Sequence, residues 1–183
     1  MPIEYAQKDL GIVWFMRDFW APFVGPEKSV LEIGCNAGAN LNALFRQGVR
    51  DLLGIEVNET AVAQLKESFP ELSHHVKLWV GPVEEEIVKL PAKSVDVTFF
   101  TGAAMHIHPR SHRVFDEVVR VTREYIGTIE LEDASCGYVF PRNDRRVFEK
   151  LGCQQLRSCF ISLKAFPTVS RDYNGAVARL LKV

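Results

Sequence analysis

The chain has no apolar run approaching the ~18–20 residues of a bilayer-spanning helix, so no membrane partner is expected. Cysteine is scarce: Cys35, Cys136, Cys153 and Cys159 are the full set, with no CxxC spacing among them. Thiols this sparse exclude a disulfide scaffold and point to a reducing, cytoplasmic compartment. Residues Met1 to Leu10 include Glu4, Lys8 and Asp9 and lack the basic start and apolar centre of a secretory signal. Charge of one sign is not in excess. The 22 Lys and Arg stand against 23 Asp and Glu, a formal net charge of −1, with no long basic run. That balance lacks the electrostatic footprint of a dedicated nucleic-acid binder, and no nucleic-acid partner is expected. Repeats and low-complexity tracts are missing too. What is present suits one globular domain of 183 residues, with 47% hydrophobic and 25% charged residues.

The first 25 residues read as a separate helical arm or lid ahead of a domain over 26–183. The run IVWFMRDFW places apolar and aromatic side chains on more than one face, and Pro22 and Pro26 bracket a break. Trp14, Phe15, Phe19 and Trp20 either exclude water from a site or pack a helix on a sheet edge. Beyond Pro26, short apolar runs alternate with helical patterns. Strands are expected at Ser29–Ile33, Leu52–Val57, Val76–Val80, Ser94–Phe100 and Tyr125–Leu131. Helices are expected at Asn40–Gln47, Glu59–Phe69, Glu84–Leu90, Ser111–Thr122 and Asn143–Leu151. The tail changes habit: Ser158–Leu163 and Ala176–Leu181 are apolar runs with only a loop between them, which suggests an antiparallel hairpin. The pattern is α/β, a doubly wound Rossmann-like sheet, and its ligand belongs beyond the carboxyl ends of the strands.

The informative segment is VLEIGCNAGANLNAL, Val30 to Leu44. A strand runs into Gly34-Cys35-Asn36-Ala37-Gly38 and out into a helix, with glycines that let bare backbone approach a ligand. Glu56, 22 residues beyond Gly34 and at the end of the next strand, can accept both hydroxyls of a ribose. A nicotinamide dinucleotide site needs G-x-G-x-x-G, and here Asn36 fills the second glycine slot. Glu32, two residues before the loop, repels phosphate but suits a ligand carrying ammonium or sulfonium charge. S-adenosylmethionine is such a ligand.

These residues resemble the class I S-adenosylmethionine-dependent methyltransferases, over most of Ser29 to Val183. Glu32-x-Gly34-x-x-x-Gly38 is similar to that family's first motif, Glu56 to its ribose-binding acid, and Asp96 to its fourth-strand acid. Pro82 stands where the family has an acid near the adenine, with Glu84 as the substitute. GCNAGAN, GIEVNE, HIHP and FEKLGC further resemble a small bacterial branch of pseudaminic-acid-biosynthesis-associated methylases. The resemblance implies a seven-stranded sheet, six strands parallel and one antiparallel, and methyl transfer to an oxygen or nitrogen of a small-molecule acceptor. It also implies roles. The backbone of Gly34, Cys35 and Asn36, with Gly38 shaping the turn, cradles the methionine moiety, and Glu32 complements its charge. Glu56 holds the ribose, Val57 packs beside the adenine, Val83 and Glu84 address the adenine edge, and Thr101 and Gly102 border the methyl group.

His106, just after the fourth strand, is a candidate general base; the alternative is a histidine that caps the next helix or lines the pocket wall. His106 and His108 could also bind zinc with Glu130, Glu132 or Asp133, but no third ligand is fixed by the spacing, so no metal is expected. Arg142, Arg145 and Arg146 are either a solvated face or a clamp for an acidic substrate. Two other functions compete: a non-catalytic S-adenosylmethionine-binding sensor or partner domain, and a dinucleotide oxidoreductase. The sequence leaves open whether the chain is a monomer or a homodimer.

Overall fold

The computed structural model describes residues 19–20, 23–133, 138–167, 169 and 171–183. Most of the expected N-terminal arm lies outside the described residues. The elements in chain order are β1 (Ser29–Ile33), α1 (Ala39–Arg46), β2 (Asp51–Glu56), α2 (Glu59–Ser68) and α3 (Pro70–Ser73). β3 (Val76–Val80), α4 (Val83–Glu86), β4 (Val95–Thr101), α5 (Arg113–Val121) and β5 (Thr122–Glu130) follow. The chain ends with α6 (Asp144–Lys150), β6 (Gln154–Phe160) and β7 (Val177–Lys182).

The strands form one sheet in the order β3-β2-β1-β4-β5-β7-β6. β1 to β5 pair in parallel, while β7 runs antiparallel to both β5 and β6. The seven-stranded Rossmann-like sheet expected from the sequence is therefore present, with β7 slotted between β5 and β6. Chain order reverses between β1 and β4, and this reversal opens a crevice at their carboxyl ends.

Both faces of the sheet are covered, as a largely parallel sheet requires. Neighbouring residues within a strand point to opposite faces. Val30, Leu52, Phe99 and Leu180 join one buried cluster, and Leu31, Leu53, Phe100 and Leu181 join the other. Helix α5 shows how the sequence builds the second layer. Val114, Phe115, Val118 and Val121 fall on one stripe and are buried. Trp20 lies edge-on to Phe99 at 5.4 Å and fills the space over Gly127, where a Cβ would come within 2.5 Å of its ring. This aromatic residue thus packs on the sheet.

One expectation needs correction. The sixth strand is Gln154–Phe160, not Ser158–Leu163. It is an edge strand whose residues are mostly exposed, so no apolar run marks it, and a bulge falls between Gln155 and Arg157. Asp96 sits at the start of β4, away from the strand's carboxyl end. Its Oδ2 accepts from the backbone and hydroxyl of Ser29 at 2.8 and 2.9 Å, and its Oδ1 accepts from Arg123 Nε at 2.7 Å. Asp96 ties the floor of the sheet together.

Candidate cofactor and acceptor site

The glycine loop leaves β1 through three positive-φ residues, Gly34 (φ 72), Asn36 (φ 48) and Gly38 (φ 75). Gly34 and Cys35 each turn an N–H onto the Ile55 carbonyl, at 2.8 and 3.3 Å. A Cβ on Gly34 would lie 2.6 Å from Ala103 Cβ, so only glycine lets this loop interlock with the turn after β4. Asn36 is fixed by two bonds. Its N–H donates to Glu56 Oε2 at 2.8 Å, and its own Oδ1 accepts the N–H of Ala37 at 2.8 Å. Glu56 Oε1 accepts from Asn58 N–H at 2.8 Å, so the side chain is held from both sides. Each carboxylate oxygen carries a further lone pair.

A cavity of about 500 Å³ opens at these strand ends. Glu32, Gly34, Cys35, Asn36, Glu56 and Val57 line it from the first two strands. Val83 and Glu84 line it after β3, and Thr101, Gly102 and His106 after β4. Gly38 is the exception among the expected cofactor residues. It does not line the cavity, because its α-carbon faces α2, where a Cβ would meet Leu65 Cδ1 at 2.4 Å. Val57 is 64% exposed, an apolar surface left bare at the cavity edge.

Burial sets the electrostatics. Glu32 is 1% exposed; its Oε1 accepts from Asn40 Nδ2 at 2.7 Å. Its Oε2 has no hydrogen-bond partner among the described residues. Desolvation pushes its carboxyl up to about 8, against the pull of the Asn40 bond and with a small push from Glu56. Thr101 Oγ1 is likewise buried and without a partner. Two orphaned polar atoms on residues lining one cavity fit a ligand with cationic and hydrogen-bonding groups. No Lys or Arg lines the cavity among the described residues, so nothing there favours a pyrophosphate.

At the other wall, His106 Nδ1 lies 3.2 Å from the Tyr138 carbonyl. A carbonyl only accepts, so Nδ1 carries the proton and Nε2 is the basic nitrogen. His108 is used differently: its Nδ1 accepts from Arg110 N–H at 3.1 Å and caps the following turn. Glu130 accepts three backbone amides, and Glu132 forms a two-pronged pair with Arg179 at 2.7 Å. No group of three His, Cys, Asp or Glu gathers as metal ligands among the described residues.

Of the two readings left open for the arginines, a solvated face or a clamp, the clamp is not formed at the cavity, which none of Arg142, Arg145 and Arg146 lines. Arg142 donates to the carbonyls of Ile107 and Phe140 and lies 4.9 Å over the Phe115 ring, while Arg145 pairs with Glu149 at 2.8 Å. Sequence reasoning missed Asn40, Ala103, Ile107 and Tyr173 as lining residues. Asn40 carried a readable signal, a polar side chain in the first turn after the loop. The other three are brought to the wall only by the fold.

A strand-end glycine loop, a carboxylate at the end of β2 and a buried acid share one cavity of an α/β domain. The chain belongs to the methyltransferase-domain family, whose model matches residues 31–125, just over half of its 183. It is a class I S-adenosylmethionine-dependent methyltransferase. Solved structures agree on the fold. An S-adenosylmethionine-dependent methyltransferase from Mesorhizobium loti is 12% identical, with a TM-score of 0.74 over 93% of this chain and 97% of that one. Another, from Archaeoglobus fulgidus, is 15% identical, with a TM-score of 0.69 over 98% and 97%. The [4+2]-cyclase SpnF is also similar, at 15% identity and a TM-score of 0.73 over 92% and 79%. No curated protein matches the sequence.

Gly102 (φ 65) lines the cavity, and a Cβ there would meet nothing within 4 Å. Gly102→Ala is expected to cost about 1–2 kcal/mol of stability through its left-handed backbone. It is also expected to weaken S-adenosylhomocysteine ten-fold or more, because the methyl group enters space meant for ligand. Thermal melts beside calorimetry separate the two effects. Undiminished affinity would show that the ligand does not approach Gly102.

Proposed function

We propose that this methyltransferase acts on an oxygen or nitrogen of a small-molecule acceptor, with His106 taking the acceptor's proton. The observation that carries the reading is one cavity walled on one side by the glycine loop and on the other by His106. The bound cofactor supplies an electrophilic methyl group. The chain's own work is to hold and orient. Backbone at Gly34, Cys35 and Asn36 cradles the methionine moiety, Glu32 answers its positive charge, and Glu56 holds the ribose. Val57, Val83 and Glu84 address the adenine, and Thr101 and Gly102 border the methyl group. Alignment of nucleophile and methyl can supply about 7–11 kcal/mol of barrier lowering. A positioned base adds roughly 10²–10⁴-fold, and His106 Nε2 is the nitrogen free to do it.

The acceptor wall supports a small substrate. It consists of the Ala103–Ile107 turn and Tyr173 from the β6–β7 connection, with no cationic side chain among the described residues to grip a phosphate backbone. The resemblance to pseudaminic-acid-associated methylases points the same way. The test uses methyl-labelled cofactor with a panel of small hydroxyl and amine metabolites, a total protein extract and total RNA. Label is expected in the metabolites, and His106→Ala is expected to lower the rate by about 10²–10⁴-fold without changing cofactor affinity. Label confined to protein or RNA would overturn the small-molecule reading. A full rate in His106→Ala would make that side chain a wall residue.

A further inference from the structure

We infer that Glu130, on the far side of the cavity wall, is a positioning residue that fixes the methyl-donor end of the cofactor pocket; the inference rests on the cofactor reading above. β5 ends at Glu130, whose side chain is 2% exposed. Its Oε1 accepts the N–H groups of Ala103 and Ala104, both at 3.0 Å, and its Oε2 accepts Met105 N–H at 3.1 Å. These three amides open the turn that follows Gly102 and carries His106. One buried carboxylate therefore satisfies three successive donors that would otherwise be stranded.

The turn matters because of what it touches. Ala103 lines the cavity, and its methyl group occupies the space a Cβ on Gly34 would need. The glycine loop and the post-β4 turn are thus two halves of one cradle, the first held at Asn36 N–H by Glu56 of β2 and the second at three amides by Glu130 of β5. The ring of His106 leads on to Tyr138, and Phe140 N–H donates to the Met105 carbonyl at 2.7 Å, so the pinned turn also anchors the segment beyond it.

The charge state is consistent with this job. Burial pushes the Glu130 carboxyl up, while the three amides and then Arg142 pull it back towards ionised. Asp144 is wholly buried, beside Thr128. Desolvation, then Glu130 and Glu132, raises its carboxyl, against the pull of Thr128 and Arg142. Glu130 does not touch ligand. It acts through the turn.

The experiment is calorimetry of the full chain with S-adenosylhomocysteine and with adenosine, comparing wild type, Glu130→Gln and Asp144→Asn. Glutamine keeps the shape, but its NH₂ end must face at least one of the three amides. Glu130→Gln is expected to weaken S-adenosylhomocysteine at least ten-fold, about 1.4 kcal/mol, and to leave adenosine within two-fold. Asp144→Asn is expected to leave both unchanged. Equal affinity in Glu130→Gln, or a parallel loss of both ligands, would overturn the proposal, the latter by showing a merely structural role. If Glu130→Gln does not fold, amide exchange in wild type decides. Ala103, Ala104 and Met105 are expected to exchange at least ten-fold more slowly with saturating S-adenosylhomocysteine, and unchanged rates would overturn the idea. Wild type that binds neither ligand would bring down the cofactor reading itself, and the wild-type trace alone identifies that case.

Discussion

Glu32→Gln is expected to stabilise the cofactor-free protein at pH 8 while weakening its hold on S-adenosylmethionine. The Glu32 carboxyl sits at about 8 in the folded chain against an ordinary 4.5, because burial disfavours its charged form. Between those values the folded chain keeps a proton that the unfolded chain has released. The folded state binds more protons there, so stability falls as pH rises through the window. Its contribution is complete below about 4.5 and lost as pH passes about 8. Glutamine mimics the protonated form and removes this dependence. The gain at pH 8 is on the order of 4 kcal/mol, roughly 8–16 °C in melting temperature for a domain of this size. The ligand effect has the opposite sign. A sulfonium or ammonium charge near the unpartnered Oε2 drives the proton off, so binding releases a proton and tightens from pH 6.5 to 8.5. Melts across this range and calorimetry in buffers of different ionisation enthalpy check both halves. A variant with unchanged stability at pH 8, or wild type that releases no proton on binding, would contradict the role given to Glu32.

The second large effect concerns Glu56. Glu56→Ala is expected to weaken S-adenosylmethionine, S-adenosylhomocysteine and adenosine by at least 100-fold. A charge-assisted bond to each ribose hydroxyl is worth about 1.5–3 kcal/mol, and the two together account for the loss. The variant also strands the N–H groups of Asn36 and Asn58, which Glu56 accepts at 2.8 Å each. Asn36 is half-buried and Asn58 exposed, so water can reach both donors and the added destabilisation is at most about 1 kcal/mol. Loss of adenosine binding separates Glu56 from Glu130, whose replacement spares adenosine. Calorimetry with adenosine alone is the decisive trace, and undiminished adenosine affinity would remove the ribose from Glu56.

The sequence revealed some elements better than others, for physical reasons. Ser29–Ile33 has the bounds expected from sequence, since a strand buried along its whole length is an apolar run with clear stops. Val76–Val80, a half-exposed edge strand, also has its expected bounds because valines flank it and Gly81-Pro82 stop it. The glycine loop and Glu56 were legible because a short loop and a strand end fix where they lie. β6 was misplaced because an exposed edge strand carries no apolar signature. Helix α5 passes into β5 with no connecting residue, so the expected gap at Arg123 and Glu124 does not exist. Glu130 was readable only as a possible metal ligand. Its partners Ala103 to Met105 lie 25 to 27 positions away, a pairing that only the assembled sheet creates. Tyr173 reaches the cavity on a long connection with no periodic pattern. The arginines after β5 were visible as a cluster, but their carbonyl and glutamate partners were not.

The most direct measurement is calorimetry of the full chain with S-adenosylmethionine, S-adenosylhomocysteine and NAD. The account predicts micromolar binding of both sulfur compounds, with proton release on S-adenosylmethionine binding, and no heat from NAD. Binding of NAD, or silence from both sulfur compounds in folded protein, would contradict the site built here from Glu32, the glycine loop and Glu56.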